Sequence, residues 1–301
     1  MKKLIVLLCS LLITLSYAQQ DSQFSQYMYN TININPAYAG TRGSFNAFVL
    51  HRNQWVGLNG APITNAASIN TNFEESRLGL GLSFINDQIG ATQENQISAD
   101  LAYIIPLNGS YKVSFGVKGT ANLYNLDASK LNIYQENDPE FQGLNGKLSP
   151  NIGTGVYLYT DKFYTGLSVP NLLKTVYFNN NEISINKKST HYYLTAGYVF
   201  DINPFIKFKP SFISKITSGT PFQLDINTNF MFNEKFVLGG SYRLGSAFSA
   251  LAGFQITSNW FLGYGYDLET TRLSNYNSGS HELFLRYEIF KNSRISTPRF
   301  F

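Results

Sequence analysis

From Ser44 to Lys291 apolar residues recur at every second position. Leu78, Leu80, Leu82 and Phe84 alternate with Gly79, Gly81 and Ser83. Phe222, Leu224, Ile226, Thr228 and Phe230 alternate with Gln223, Asp225, Asn227 and Asn229. Phe248, Ala250, Ala252, Phe254 and Ile256 alternate with Ser249, Gly253 and Gln255. Successive side chains of a strand point to opposite faces, so each segment has one apolar face and one small or polar face. The pattern predicts 14 strands, near 44–56, 62–73, 77–86, 93–106, 110–124, 149–160, 162–170, 190–201, 204–217, 220–232, 235–244, 246–257, 260–270 and 279–291. Most are about ten residues long, the length with which a tilted strand crosses a bilayer.

The connections alternate in length. Glu74–Ser76, Leu107–Gly109, Asp161, Ile202–Asn203, Asn233–Glu234 and Ser258–Asn259 are short and fall on one side. Asn125–Leu148, Asn171–Ser189 and Thr271–Ser278 are long and fall on the other. Short periplasmic turns with longer outer loops are the pattern of outer-membrane barrels. Two stacked sheets would show the same alternation, with charge on the solvent face. Here that face is Gly, Ser, Asn and Gln, and only 14% of the chain is charged, against about 25% in soluble domains. The chain also carries 24 Phe and 20 Tyr. The fold expected is all-β: a transmembrane antiparallel barrel of about 14 strands over 44–301, behind a lead-in of residues 19–43 that sits at the periplasmic side or as a plug.

The first residues read as a secretory signal, 1–18. Lys2 and Lys3 precede the apolar run Leu4–Leu15, and Ser16-Tyr17-Ala18 places small residues for cleavage before Gln19. The single cysteine, Cys9, lies in that run, so the mature chain has no disulfide or thiolate ligand. Of the net charge of +4, two charges belong to Lys2 and Lys3, which leaves too little to suggest nucleic acid as a partner.

Phe24, Tyr27, Met28 and Thr31 recur at helical spacing, which allows one short amphipathic helix in the lead-in. Pro36 pushes Asn35 toward an extended conformation. The run Asn35–Gly40 then reads either as a fixed turn, folded across the periplasmic mouth or into the lumen, or as an ordinary entry loop. On the inward face stand Lys112, Lys118, Lys207, Lys209, Lys215, Asp100, Asp225, Arg243, Glu282, Arg286 and Glu288, as in any hydrated or ion-paired lumen. Trp55, Trp260, Tyr159, Tyr177, Tyr192 and Tyr266 fall near strand ends, where amphipathic rings form interfacial girdles. The acidic residues of 125–148 lack the ladder and central glycine of a calcium loop. His51, His191 and His281 lie near neither a Gly-x-Ser-x-Gly elbow nor a His-Glu-x-x-His motif. No catalytic residue, metal or cofactor is expected.

The runs Phe24–Met28 and Asn35–Gly40, with Arg52, Gln54, Trp55 and Pro62, resemble the start of the PorP/SprF family, outer-membrane proteins of the type IX secretion system of Bacteroidota. Ser149–Val156, Phe163–Leu173 and the terminal Ser296–Phe301 also match. The resemblance implies a barrel that works with the secretion and gliding machinery, or that anchors or helps export a surface protein such as a large adhesin. Its partners would be machinery components, such an adhesin, and outer-membrane lipid. The candidate plug or partner segment is Phe24, Tyr27, Met28, Asn35, Pro36, Tyr38 and Gly40, with Arg52, Gln54 and Trp55. A general diffusion porin and a lipid-modifying barrel enzyme are the alternatives.

Overall fold

The computed structural model describes residues 24–73, 76–131, 144–173, 175–178, 184–188, 190–217 and 220–289. The signal segment and the terminal Ser296–Phe301 lie outside the described residues. The strands are β1 Phe45–Asn53, β2 Ile63–Phe73, β3 Leu78–Ile89, β4 Thr92–Pro106, β5 Lys112–Leu126, β6 Leu144–Tyr159 and β7 Phe163–Val169. A separate hairpin follows, β8 Thr175–Phe178 and β9 Ser184–Lys188. Then come β10 His191–Tyr198, β11 Phe200–Asn203, β12 Ile206–Thr217, β13 Gln223–Phe232, β14 Phe236–Arg243, β15 Ala247–Gln255, β16 Trp260–Glu269 and β17 Ser280–Ile289.

Neighbouring strands pair antiparallel in chain order, β1 pairs with β17, and β10 pairs with β12, so the sheet closes. Val199 interrupts one stave, which therefore appears as β10 and β11; its N–H donates to Lys162 O at 2.9 Å. Counted that way the barrel has the 14 staves expected, joined into a closed ring. The expected segment at 149 begins earlier, at Leu144, and takes up part of the long connection before it. One hairpin turn carries positive φ at both central residues, Asn233 (50°) and Glu234 (55°), the mirror-image turn that matches strand twist.

The apolar face looks outward. Leu80, Leu82, Phe84, Val117, Ile226, Phe248 and Leu268 are all exposed on it. Two packed sheets would have buried these residues between them. The polar face looks into the lumen, where Ser83, Asn122, Asn227 and Asn229 are buried. What buries them is the lead-in. Of its two expected places, the structure has the second: residues 24–44 run inside the barrel and nearly all are buried. The segment starts near Arg243, Asp225 and Glu282, at the end of the barrel that bears the long connections. It ends near Glu288 and Gly79, at the end with the short turns, where β1 begins. The helix that the spacing allowed does not form among the described residues of the lead-in. Three single 3₁₀ turns take its place, Tyr27–Tyr29, Thr31–Asn33 and Pro36–Tyr38. A 3₁₀ turn winds more tightly than an α-helix, and here both sides of the backbone press against barrel walls.

Candidate functional site

The site is the seam between the lead-in and the lumen wall. At its loop end Arg52 is almost fully buried and holds two carboxylates, through Nη2 to Asp267 Oδ2 at 2.6 Å and Nη1 to Glu282 Oε2 at 3.0 Å. The same carboxylates grip the chain. Glu282 accepts the N–H groups of Ser25 and Gln26, both at 3.0 Å, and the Ser25 hydroxyl donates to Asp267. Arg52 Nη1 also donates to Ser25 Oγ at 2.9 Å. Beside this latch Arg243 pairs with Asp225 at 2.9 Å and donates to Phe24 O at 3.5 Å.

Halfway down, the wall satisfies lead-in groups that no regular structure serves. Lys118, paired with Asp100 at 2.9 Å, donates to Ile32 O at 3.2 Å. Ser168 Oγ donates to Ile34 O at 2.7 Å, and Ser68 Oγ to Asn30 Oδ1 at 3.1 Å. Asn227 donates to the Tyr27 hydroxyl at 2.8 Å. Asn35 is used twice: Oδ1 accepts the Ala37 N–H at 3.0 Å, and Nδ2 donates to Val156 O at 3.1 Å. It thereby caps the turn that Pro36 starts, with proline at the position where its missing N–H costs nothing. At the turn end Arg42 Nε meets Glu288 at 2.5 Å and Arg42 Nη1 donates to Tyr38 Oη at 3.4 Å.

Glycines on the inward face set how close the segment comes. A Cβ at Gly79 would lie 2.1 Å from Ala39 O, one at Gly116 2.2 Å from Ala37 N, and one at Gly155 2.1 Å from Asn35 Oδ1. These walls accept the lead-in backbone because they lack side chains. Gly40 itself has φ +73°, a conformation an L side chain adopts only with strain. Aromatic rings fill much of the remaining space, leaving a gap of about 40 Å³ beside Phe24, Tyr27 and Ile34. Tyr29 packs on Phe261 and Phe284 with centroids 5.5 and 4.6 Å apart, and Phe284 stacks on Phe48 at 5.3 Å. Tyr38 meets Tyr157 edge-on at 5.6 Å, and Tyr157 stacks on Tyr164 at 5.9 Å.

The structure thus brings together Phe24, Tyr27, Asn35, Pro36, Tyr38, Gly40 and Arg52, all inside the barrel, with Met28 half-buried against the same cluster. Gln54 and Trp55 stand apart from it, on the rim. Gln54 N donates to Pro62 O at 2.9 Å, and Trp55 donates through its ring N–H to Glu269 at 3.4 Å. Of the inward charges expected, Lys112 is exposed at the turn end, and Lys207 pairs with the turn residue Glu234 at 3.2 Å. Tyr159, expected in a girdle, is buried in the lumen against Tyr157, because its parity on β6 is that of the inward face. Tyr192 and Trp260 do face outward. Sequence reasoning missed Ser25, Arg42 and Asp267 as lead-in contacts. It also missed Phe48, Phe261 and Phe284, large apolar residues on the face expected to be polar. Their spacing along the strands was the available signal.

Residues 16–287 match the family described as type IX secretion system membrane protein PorP/SprF. No curated protein matches the chain. Among solved structures, the outer membrane protein Omp33 of Acinetobacter baumannii is similar over 83% of this chain and 100% of its own, with TM-score 0.50 and 8% identity. A TodX ΔS2S3 mutant, a monoaromatic hydrocarbon channel, is similar over 89% of this chain and 94% of its own, with TM-score 0.50 and 10% identity. At such identities these likenesses bear on the fold alone.

Proposed function

Because the chain belongs to the PorP/SprF family of type IX secretion system membrane proteins, an outer-membrane barrel component of that system, we propose that it is a plugged, non-catalytic anchor. In this reading it holds or helps export a surface protein such as a large adhesin, or links the secretion machinery to the outer membrane. The observation that carries the reading is the lumen. Residues 24–44 fill it along its length, from the Arg52 latch at the loop end to the Arg42–Glu288 pair at the turn end. A diffusion porin works through an open water-filled lumen. A barrel packed with its own chain serves better as a fixed post, with its rim and loops left to meet partners.

Two measurements test this. Planar-bilayer recording of the purified protein should give little steady conductance, while a chain with Arg52 and Arg42 both replaced by alanine should open. Large steady conductance from the unaltered protein would favour the porin. Mild-detergent capture from cells should recover machinery components or a large surface protein. Recovery of neither would sink the anchor even if the lumen is closed.

A further inference from the structure

Outside the lumen, the outward face of β1–β5 differs from the rest of the barrel. Near their loop end, four outward residues stand directly opposite one another across adjacent strands: His51, Asn65, Asn86 and Asn95. They form one hydrogen-bonded row. His51 Nδ1 meets Asn65 Oδ1 at 2.8 Å, Asn65 Nδ2 donates to Asn86 Oδ1 at 3.4 Å, and Asn86 Nδ2 donates to Asn95 Oδ1 at 2.8 Å. This is not the general level at which the barrel leaves lipid. Toward the same end of β12–β16 the outward residues include Ile216, Phe222, Leu244, Phe248 and Leu268, apolar and exposed, with the rings of Tyr242 and Tyr266 among them and no amide row among the described residues.

Below the row, toward the turn end, a cleft of about 400 Å³ opens on the same face. Its floor holds Ala99 and Gly119, which pair directly across β4 and β5, and its walls include Phe45, Leu82, Leu101 and Val117. A Cβ built on Gly119 meets nothing within 4 Å. Asn86 lies four residues from Leu82 along β3, on the order of 13 Å. A polar row therefore heads an apolar cleft on a surface that faces lipid.

We propose that this face binds one outer-leaflet glycolipid, with an acyl chain in the cleft and the sugar and amide groups near the acyl linkages against the row. The position at the loop end selects the outer leaflet. The chemistry of the row selects the head. Three amides and an imidazole offer donors and acceptors suited to hydroxyl and amide groups, and the row contains no Lys or Arg of the kind that phosphate recognition favours.

Native mass spectrometry tests this on the full chain, purified in mild detergent from its own membrane. One glycolipid should stay bound to the unaltered protein. Ala99→Phe or Gly119→Leu, which fill the cleft from the lipid side, should abolish retention while the heat-modifiable shift of the folded barrel persists. Asn65→Leu with Asn86→Leu should lose the preference for glycolipid over phospholipid. Independently, purified rough-type lipopolysaccharide added to delipidated unaltered protein should raise its unfolding temperature more than phosphatidylethanolamine does, which keeps the test alive if a variant fails to fold. Retention of phospholipid only, retention of no lipid, equal retention by the cleft-filled variants, or equal thermal effects of the two lipids would each overturn the proposal.

Discussion

Arg52→Ala should loosen the loop end of the lead-in more than any neutral change there. The substitution removes the cation that touches both Asp267 and Glu282, at 2.6 and 3.0 Å, and leaves two carboxylates in a buried place. Breaking a buried ion pair from one side costs about 3–5 kcal/mol, most of it from the charge left uncompensated. Glu282→Gln is milder. Its amide oxygen still accepts from Ser25 or Gln26, and Arg52 keeps Asp267, so the loss is that of charge-assisted hydrogen bonds, about 1.5–3 kcal/mol. Adding Asp267→Asn and Glu282→Gln to Arg52→Ala removes the stranded charges and should restore part of the stability. The assay is urea unfolding of protein refolded in detergent, read from the fluorescence of the two tryptophans, Trp55 and Trp260. Trp55 sits on the rim, hydrogen-bonded to Glu269 two residues beyond Asp267, and should report the loosening through that strand end. A loss below about 1 kcal/mol for Arg52→Ala, or a triple variant no more stable than the single one, would refute the account of the latch as a charge-balanced clamp.

Four further outcomes follow from the packing and from the lipid-facing side. Gly116→Leu drives a side chain into the lead-in backbone, 2.2 Å from Ala37 N, and should cost at least the ~1–3 kcal/mol of overpacking, seen as a lower temperature for heat-modified migration. Gly119→Leu, on the opposite face with open space around it, should stay within about 0.5 kcal/mol in the same gel assay. Asn35→Ala loses the cap of the Pro36 turn and the bond to Val156 O, and should lower the urea-derived stability by about 1 kcal/mol or somewhat more. Leu82→Lys places a charge on the lipid face and should cost about 2–4 kcal/mol if that site is near mid-bilayer, measured by reversible folding into vesicles.

The strands, the short and long ends and the outward direction of Leu80, Leu82 and Phe84 were legible because a period of two is a local property of the chain. Lead-in placement was legible only as a pair of choices. Several of its hydrogen bonds join residues more than a hundred positions apart, such as Ser25 to Glu282 and Asn35 to Val156, and nothing in the local pattern registers them. The rule of a polar lumen failed at Phe48, Phe261 and Phe284 for a related reason. Those rings face inward because Tyr29 is there to cover them, and a lumen full of water would not have tolerated them. Tyr159 was misplaced because nearness to a strand end was weighed above parity. Asn35, Pro36, Tyr38 and Gly40 were found through a resemblance, but the reason they fit is physical: the glycines at 79, 116 and 155 leave room for them.

The lead-in descends the lumen before β1 climbs beside β17. That direction constrains the order of manufacture. A ring shut first and filled afterwards would have to draw Phe24 and Tyr27 upward past Tyr157, Phe261 and Phe284, rings against which the lead-in now packs. Wrapping the staves around the leading residues while the β1–β17 joint is still apart, as around a mandrel, avoids that passage. The last strand to be made then locks its own beginning inside.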